Sequence, residues 1–145
     1  MSSAKLGRMT VALVAAGAMV VAPACAWAAD GGKAAGVERI AGADRYEAAA
    51  NVSAASFAPG VPVAYVASGA VFTDALSGAP VAAKTGGPML LVRDDEVPSA
   101  VKSELARLKP KKIVVLGGPN SVDYTVEAVL GAYTSGGVER WMGAD

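Results

Sequence analysis

Val61-Pro62-Val63-Ala64-Tyr65-Val66-Ala67 is an apolar run without polar alternation. It passes into Ser68-Gly69 and then, past Thr73-Asp74, into a stretch with helical spacing. A strand covered on both faces reads this way, because neither set of side chains meets water. Three more short runs have the same character, at residues 37–41, 88–92 and 113–116. Each is followed by a helical pattern.

The helical patterns carry their own punctuation. Asp44-x-x-Glu47 resembles a capping box. Behind it Tyr46, Ala49, Ala50, Ser53 and Phe57 share one face, and Pro59-Gly60 ends the pattern. A second helix is expected from Thr73 or Asp74 to Gly86-Gly87, with a kink or late start at Pro80. A third is expected from Pro98, burying Val101, Leu105 and Leu108 and stopping before Pro110. A fourth follows Asp123, carries Val126, Val129, Leu130 and Tyr133, and is closed by Gly136-Gly137. Strand and helix alternating four times predict an α/β fold. The expected form is one Rossmann-like or flavodoxin-like module, a mainly parallel sheet with helices on both faces.

The first 29 residues differ from the rest. Lys5 and Arg8 are their only charges, followed by an apolar run over 9–21 and then Ala26-Trp27-Ala28. A positive start, an apolar middle and an A-x-A exit predict a secretory signal peptide over residues 1–28. The run is too short for an unaided membrane span. Cys25 raises the possibility of a lipoprotein, but Ala22-Pro23-Ala24 before it lacks the leucine of a lipobox. Residues 29–36 then read as a flexible lead-in.

Charge and composition narrow the function. The whole chain of 145 residues holds 13 basic and 13 acidic residues, one cysteine and no histidine. Without Lys5 and Arg8, 11 basic residues face 13 acidic ones, which is not the balance of a nucleic-acid binder. The missing histidine excludes Ser-His-Asp and Cys-His catalysis and histidine metal sites. One cysteine excludes an internal disulfide and a Cys-cluster zinc site.

Val138-Glu139-Arg140-Trp141-Met142-Gly143-Ala144-Asp145 repeats Val37-Glu38-Arg39-Ile40-Ala41-Gly42-Ala43-Asp44, with six of eight positions identical. The two stretches lie 101 residues apart in number. A period of that length predicts tandem domains. The expected organisation is one module over 37–137 and the truncated start of a second over 138–145.

Several residues are candidates for binding. Ser68 and Gly69 lie where an α/β sheet places its ligands, beyond the carboxyl end of a strand. Asp74 nearby suits helix capping better than anion binding. Gly117-Gly118 form a turn that lets a backbone approach a phosphate, or simply a tight strand-to-helix turn. Arg45 can grip a phosphate or carboxylate, or pair inside the module. Lys102, Arg107, Lys109, Lys111 and Lys112 form the one basic cluster, attractive to an anionic polymer or merely solvated. Asp94-Asp95-Glu96 reads as a solvated loop, not a metal site. Met89, Leu90 and Leu91 read as core strand.

The motifs together resemble a known family. Arg39-Ile40-Ala41-Gly42-Ala43-Asp44-Arg45-Tyr46-Glu47 is similar to the first motif of the cell wall-binding repeat 2 family of secreted Gram-positive proteins. Val66-Ala67-Ser68-Gly69 with Phe72-x-Asp74-Ala75-Leu76-Ser77-Gly78-Ala79-Pro80 resembles the second. Pro88-Met89-Leu90-Leu91-Val92 resembles the third, and Ile113-Val114-Val115-Leu116-Gly117-Gly118 the fourth. Ala48, Pro119-Asn120 and Trp141-Met142 depart from the pattern. The resemblance implies a non-catalytic module that anchors a secreted protein to the cell wall and surface through anionic secondary wall polymers of teichoic or teichuronic-acid type. It implies association with further copies of the module, usually in threes about a pseudo-threefold axis. It also moves Met89, Leu90 and Leu91 towards an inter-module binding groove. The polymer-binding set on this reading is Arg45, Ser68, Gly69, Met89, Leu90, Leu91, Gly117 and Gly118. No catalytic residue, metal, cofactor, nucleic acid or mature membrane contact is expected. The alternative is a small exported α/β enzyme or an anion- or nucleotide-type binding domain.

Overall fold

The computed structural model describes residues 38–143. The expected signal peptide, the lead-in and Val37 lie outside the described residues. From Glu38 onward the chain forms one compact unit. Its elements run α1 (Arg45–Ser56), β1 (Val63–Ser68), α2 (Phe72–Thr85), β2 (Met89–Val92), α3 (Ser99–Leu108), β3 (Lys112–Leu116), α4 (Tyr124–Leu130) and β4 (Val138–Trp141). A 3-10 turn over Gly131–Tyr133 follows α4.

The four strands make one sheet in the order β2-β1-β3-β4, every pair parallel. The apolar runs account for the central strands: Ala64 through Ser68 and Ile113 through Leu116 are buried. Alternate residues serve two cores. Val66, Leu90, Ile113 and Val115 pack with Val101, Leu105, Leu108, Val126 and Leu130 of α3 and α4. Tyr65, Ala67, Val114 and Leu116 pack on the other face against Ala82 of α2. Tyr46 and Phe57, at the two ends of α1, pack against the first core. Helices therefore cover both faces, but one face has α2 alone.

The sheet departs from expectation at its beginning. Residues 38–41 are exposed and irregular, where a first strand was expected. The fourth strand comes instead from residues 138–141, read in the sequence as the opening of a second copy. They pair with β3 from Ile113↔Val138 to Leu116↔Trp141. The sheet thus extends past residue 137, and the sequence repeat and the sheet are out of phase by one strand. An apolar run becomes a strand only where a neighbouring edge accepts it. Here β3 accepts residues 138–141, and residues 38–41 lie on no strand.

Helix termini follow local chemistry. Asp44 Oδ1 accepts from the N–H groups of Tyr46 and Glu47, each at 2.9 Å. Glu47 reaches back to the N–H of Ala43 at 2.7 Å. Asp123 Oδ1 accepts from Thr125 N–H at 2.6 Å. Asp74 is not a cap: α2 begins at Phe72 with Val71 at the cap position and no side-chain cap bond. Pro80 does not delay α2, which runs through it to Thr85. The helix α4 ends at Leu130, before the glycine pair expected to close it.

Buried polar contacts tie α1 to α3. Ser53 Oγ donates to Glu104 at 2.6 Å, and Arg107 holds the same carboxylate through Nε and Nη2, each at 2.7 Å. Glu104 lies in the core, so its charge depends on those donors. Glu104→Gln is expected to keep the Ser53 bond and weaken the Arg107 one, lowering unfolding free energy by about 1 kcal/mol in urea titrations.

Two exposed carboxylates make the fold acid-sensitive. The backbone N–H of Thr125 holds Asp123 below the usual carboxylate range. Hydrogen bonds from Lys112, then from Trp141, do the same for Glu139. A depressed folded-state pKa adds stability above the unfolded pKa, and that stability is lost as pH falls through the folded value. The melting temperature is therefore expected to drop as pH falls from about 5 to about 2. Asp123→Asn should flatten that drop.

Candidate functional site

The chain switches direction across the sheet between β1 and β3. From β1 it passes outward to β2, then crosses back to β3. The carboxyl ends of β1 and β3 border the resulting crevice, the usual ligand position in an open α/β sheet. Ser68 ends β1 and Gly117 follows β3. The sequence candidates Ser68-Gly69, Asp74 and Gly117-Gly118 all come to this end of the sheet.

Their roles differ. Ser68 is buried, and its Oγ accepts from the N–H groups of Ala70 and Val71 at 3.2 and 3.3 Å. It shapes the turn into α2. Gly117, with φ of 99°, lies against Asp74, whose carboxylate would collide with any side chain there. Asp74 Oδ2 is buried without a hydrogen-bond partner. The crevice of about 410 Å³ beside it is lined by Asp74, Ser77, Gly118, Ser121 and Trp141 among others. A carboxylate and two hydroxyls favour neutral, hydroxyl-bearing groups there and oppose a phosphate.

A cationic cluster stands towards β2. Arg45, the first residue of α1, donates Nη1 to the carbonyl of Gly69 at 2.7 Å. Tyr46 packs on Gly69 so closely that a Cβ there would lie 2.5 Å from its ring. Arg93, one residue past β2, places its guanidinium 5.3 Å from the centre of the same ring. Both arginines are exposed. Arg93 was missed in the sequence reading; its signal is a lone arginine directly after an apolar run, where a strand's carboxyl end is expected.

The Met89-Leu90-Leu91 segment divides by strand alternation. Leu90 is fully buried in the core, so it offers no surface to a ligand. Met89 and Leu91 point to the opposite face and line a groove of about 460 Å³ with Val52, Phe72, Leu76 and Ala79. Phe72 and Leu76 are the most exposed large apolar side chains of the groove, at 73% and 69%.

The lysine-rich cluster lies elsewhere. Lys112 begins β3, at the end of the sheet opposite the crevice, and pairs with Glu139. Arg107 is occupied by Glu104 and by the carbonyl of Phe57 at 2.8 Å. Two of the five positive charges are therefore compensated. No grouping of acidic or cysteine side chains suited to a metal occurs among the described residues. Among those residues no helix is long and apolar enough to cross a membrane.

The family model for cell wall binding domain 2 matches residues 39–127. The chain belongs to the cell wall binding domain 2 family. Its match runs from the irregular leader into α4 and so includes Arg45, Gly69 and Arg93, and of the crevice lining Asp74, Ser77, Gly118 and Ser121 but not Trp141. This cell wall binding domain is 33% identical over 106 residues to an amidase enhancer of Bacillus subtilis strain 168, covering 73% of the chain and 15% of that relative. It is 28% identical over 86 residues to the N-acetylmuramoyl-L-alanine amidase LytC of the same organism, covering 59% of the chain and 17% of the relative. The solved structures of Cwp6 and Cwp8 from Clostridium difficile each superpose with a TM-score of 0.68 at 28% identity. They cover 73% of this chain, and it covers 17% and 19% of theirs. The chain thus spans less than a fifth of each of these relatives, and its own role is cell wall binding.

Proposed function

We propose that the chain is a secreted, non-catalytic module that binds anionic polymer of the Gram-positive cell wall. The observation that carries this reading is the convergence of Arg45 and Arg93 on Tyr46 and Gly69. Two exposed guanidinium groups beside an aromatic ring suit a chain of phosphates or carboxylates, each able to take a bidentate contact. Gly69 supports the cluster by letting Tyr46 close in and by accepting from Arg45. The signal-like start of the sequence supports export.

The apolar groove takes a different part. Met89, Leu91, Phe72 and Leu76 suit contact with a further copy of the module better than contact with a charged polymer. The enzyme or nucleotide-binder reading is disfavoured by Asp74. Its carboxylate lies against the Gly117 turn, in the space an anion would need.

The test is a pull-down on Gram-positive walls, intact and chemically stripped of anionic polymer, across a sodium chloride series. Retention by intact walls, release by salt and loss on stripped walls are expected. Equal retention on stripped walls would overturn the polymer reading and leave the family's wall binding to another component.

A further inference from the structure

The strand β4 shows in detail what the edge of β3 accepts. Arg140 donates Nε to Glu127 Oε2 at 2.8 Å and Nη1 to the Gly117 carbonyl at 3.0 Å. Its side chain is only 8% exposed and also lies over the Tyr124 ring. Glu139 pairs with Lys112. Trp141 packs edge-on against Tyr65, with ring centres 5.9 Å apart. The edge thus selects a Val-Glu-Arg sequence followed by a large apolar residue.

The chain holds that sequence twice. Val37-Glu38-Arg39-Ile40 matches Val138-Glu139-Arg140-Trp141 at its first three positions and keeps a large apolar side chain at the fourth. Residues 38–40 are exposed and lie on no strand. Arg39 corresponds to Arg140, and Glu38 to Glu139. The segment leads into α1, which packs against β2 and α3, while the edge of its own β3 is filled by β4.

We propose that residues 38–40 of one copy are a donor strand for the β3 edge of a second copy. There they replace residues 139–141, with Arg39 on the second copy's Glu127 and Glu38 on its Lys112. The parallel register carries over unchanged. Each chain then has both a donor and an acceptor, the condition for strand-exchanged assembly. The tethered β4 competes at high effective concentration, so exchange in the wild-type chain is weak. Whatever loosens β4 promotes it. This contact is separate from the polymer-binding arginines and from the apolar groove.

The experiment is sedimentation equilibrium of the chain and of variants at Arg39 and Arg140, with circular dichroism to follow the fold. Arg140→Ala weakens the resident strand and is expected to raise the association constant by about tenfold or more. Arg39→Ala weakens the donor and is expected to lower it by a similar factor. The double variant should fall back from the Arg140→Ala value. Association that Arg39→Ala leaves unchanged in the Arg140→Ala chain would overturn the proposal and indicate aggregation through the apolar groove. If Arg140→Ala does not fold, a synthetic peptide of residues 37–44 added to the wild-type chain decides the matter. It should displace β4 and shift the fluorescence of Trp141, and the same peptide with Arg39→Ala should not. Equal responses, or none to either peptide, would overturn the proposal.

Discussion

Gly87→Val is expected to cost about 3 kcal/mol of unfolding free energy. Gly87 is buried two residues before β2, beside the central strand β1. A Cβ there would lie 2.6 Å from the Val63 carbonyl oxygen, 3.0 Å from Val63 Cγ1 and 3.3 Å from the Tyr65 ring. Val63 cannot retreat, because its other side is paired with Lys112 of β3. The collision is with backbone, so no side-chain rotation relieves it. The adjacent bond from Tyr65 N–H to the Pro88 carbonyl, at 2.9 Å, would be strained as β2 was pushed outward. The control is Gly118→Ala, where a Cβ meets nothing within 4 Å. That change should stay within about 0.5 kcal/mol. Urea denaturation of both variants is the measurement, and an unchanged midpoint for Gly87→Val would show that the strands can separate at no cost.

The legible part of the fold is the part set by local chemistry. The runs containing Ala64–Ala67, Leu90 and Ile113–Leu116 are strands because no polar residue interrupts them. Asp44 and Asp123 cap helices because each can reach N–H groups two or three residues on. The illegible part is non-local. Residues 37–41 and 138–141 look alike in sequence, yet among the described residues only the second stretch is a strand. The difference lies in which edge each can reach, and no window of local sequence contains that. Pro80 is a similar case. It signals an interruption, but the packing of α2 on the sheet holds the helix through it.

The candidate site was legible in outline and not in its division of labour. Arg45, Ser68, Gly69, Gly117 and Gly118 do gather at the carboxyl end of the sheet. Topology places Ser68, Gly69, Gly117 and Gly118 there, since they end or follow a strand, and Arg45 joins them through its bond to the Gly69 carbonyl. What each side chain faces depends on neighbours distant in sequence. Ser68 turns inward to its own loop. Asp74 crosses to Gly117, 43 positions further along by number, and makes the crevice acidic. Strand alternation separates buried Leu90 from Met89 and Leu91, which a reading of all three as one motif could not do. Arg93, just past β2, gains its meaning only from Tyr46, which arrives from α1.

Reversing the charge of the arginine pair is expected to remove most wall binding. With Arg45→Glu and Arg93→Glu combined, retention on polymer-bearing walls should fall by about a hundredfold. Each arginine can supply a charge-assisted bond, and two carboxylates in their place repel the same polymer. Both residues are exposed, and their internal contacts are a carbonyl and an aromatic ring, so the core does not depend on them. The melt should therefore stay cooperative, which separates lost binding from lost folding. Replacing both with lysine keeps the charge and loses the planar fork, so retention should fall much less and become more salt-sensitive. The basic residues at the other end of the sheet supply the contrast. Lys109→Glu and Lys111→Glu change net charge by the same amount, far from Gly69. If that pair reduced retention as strongly as the arginine pair, general attraction to a negative wall would explain the binding, and Tyr46 and Gly69 would mark no site.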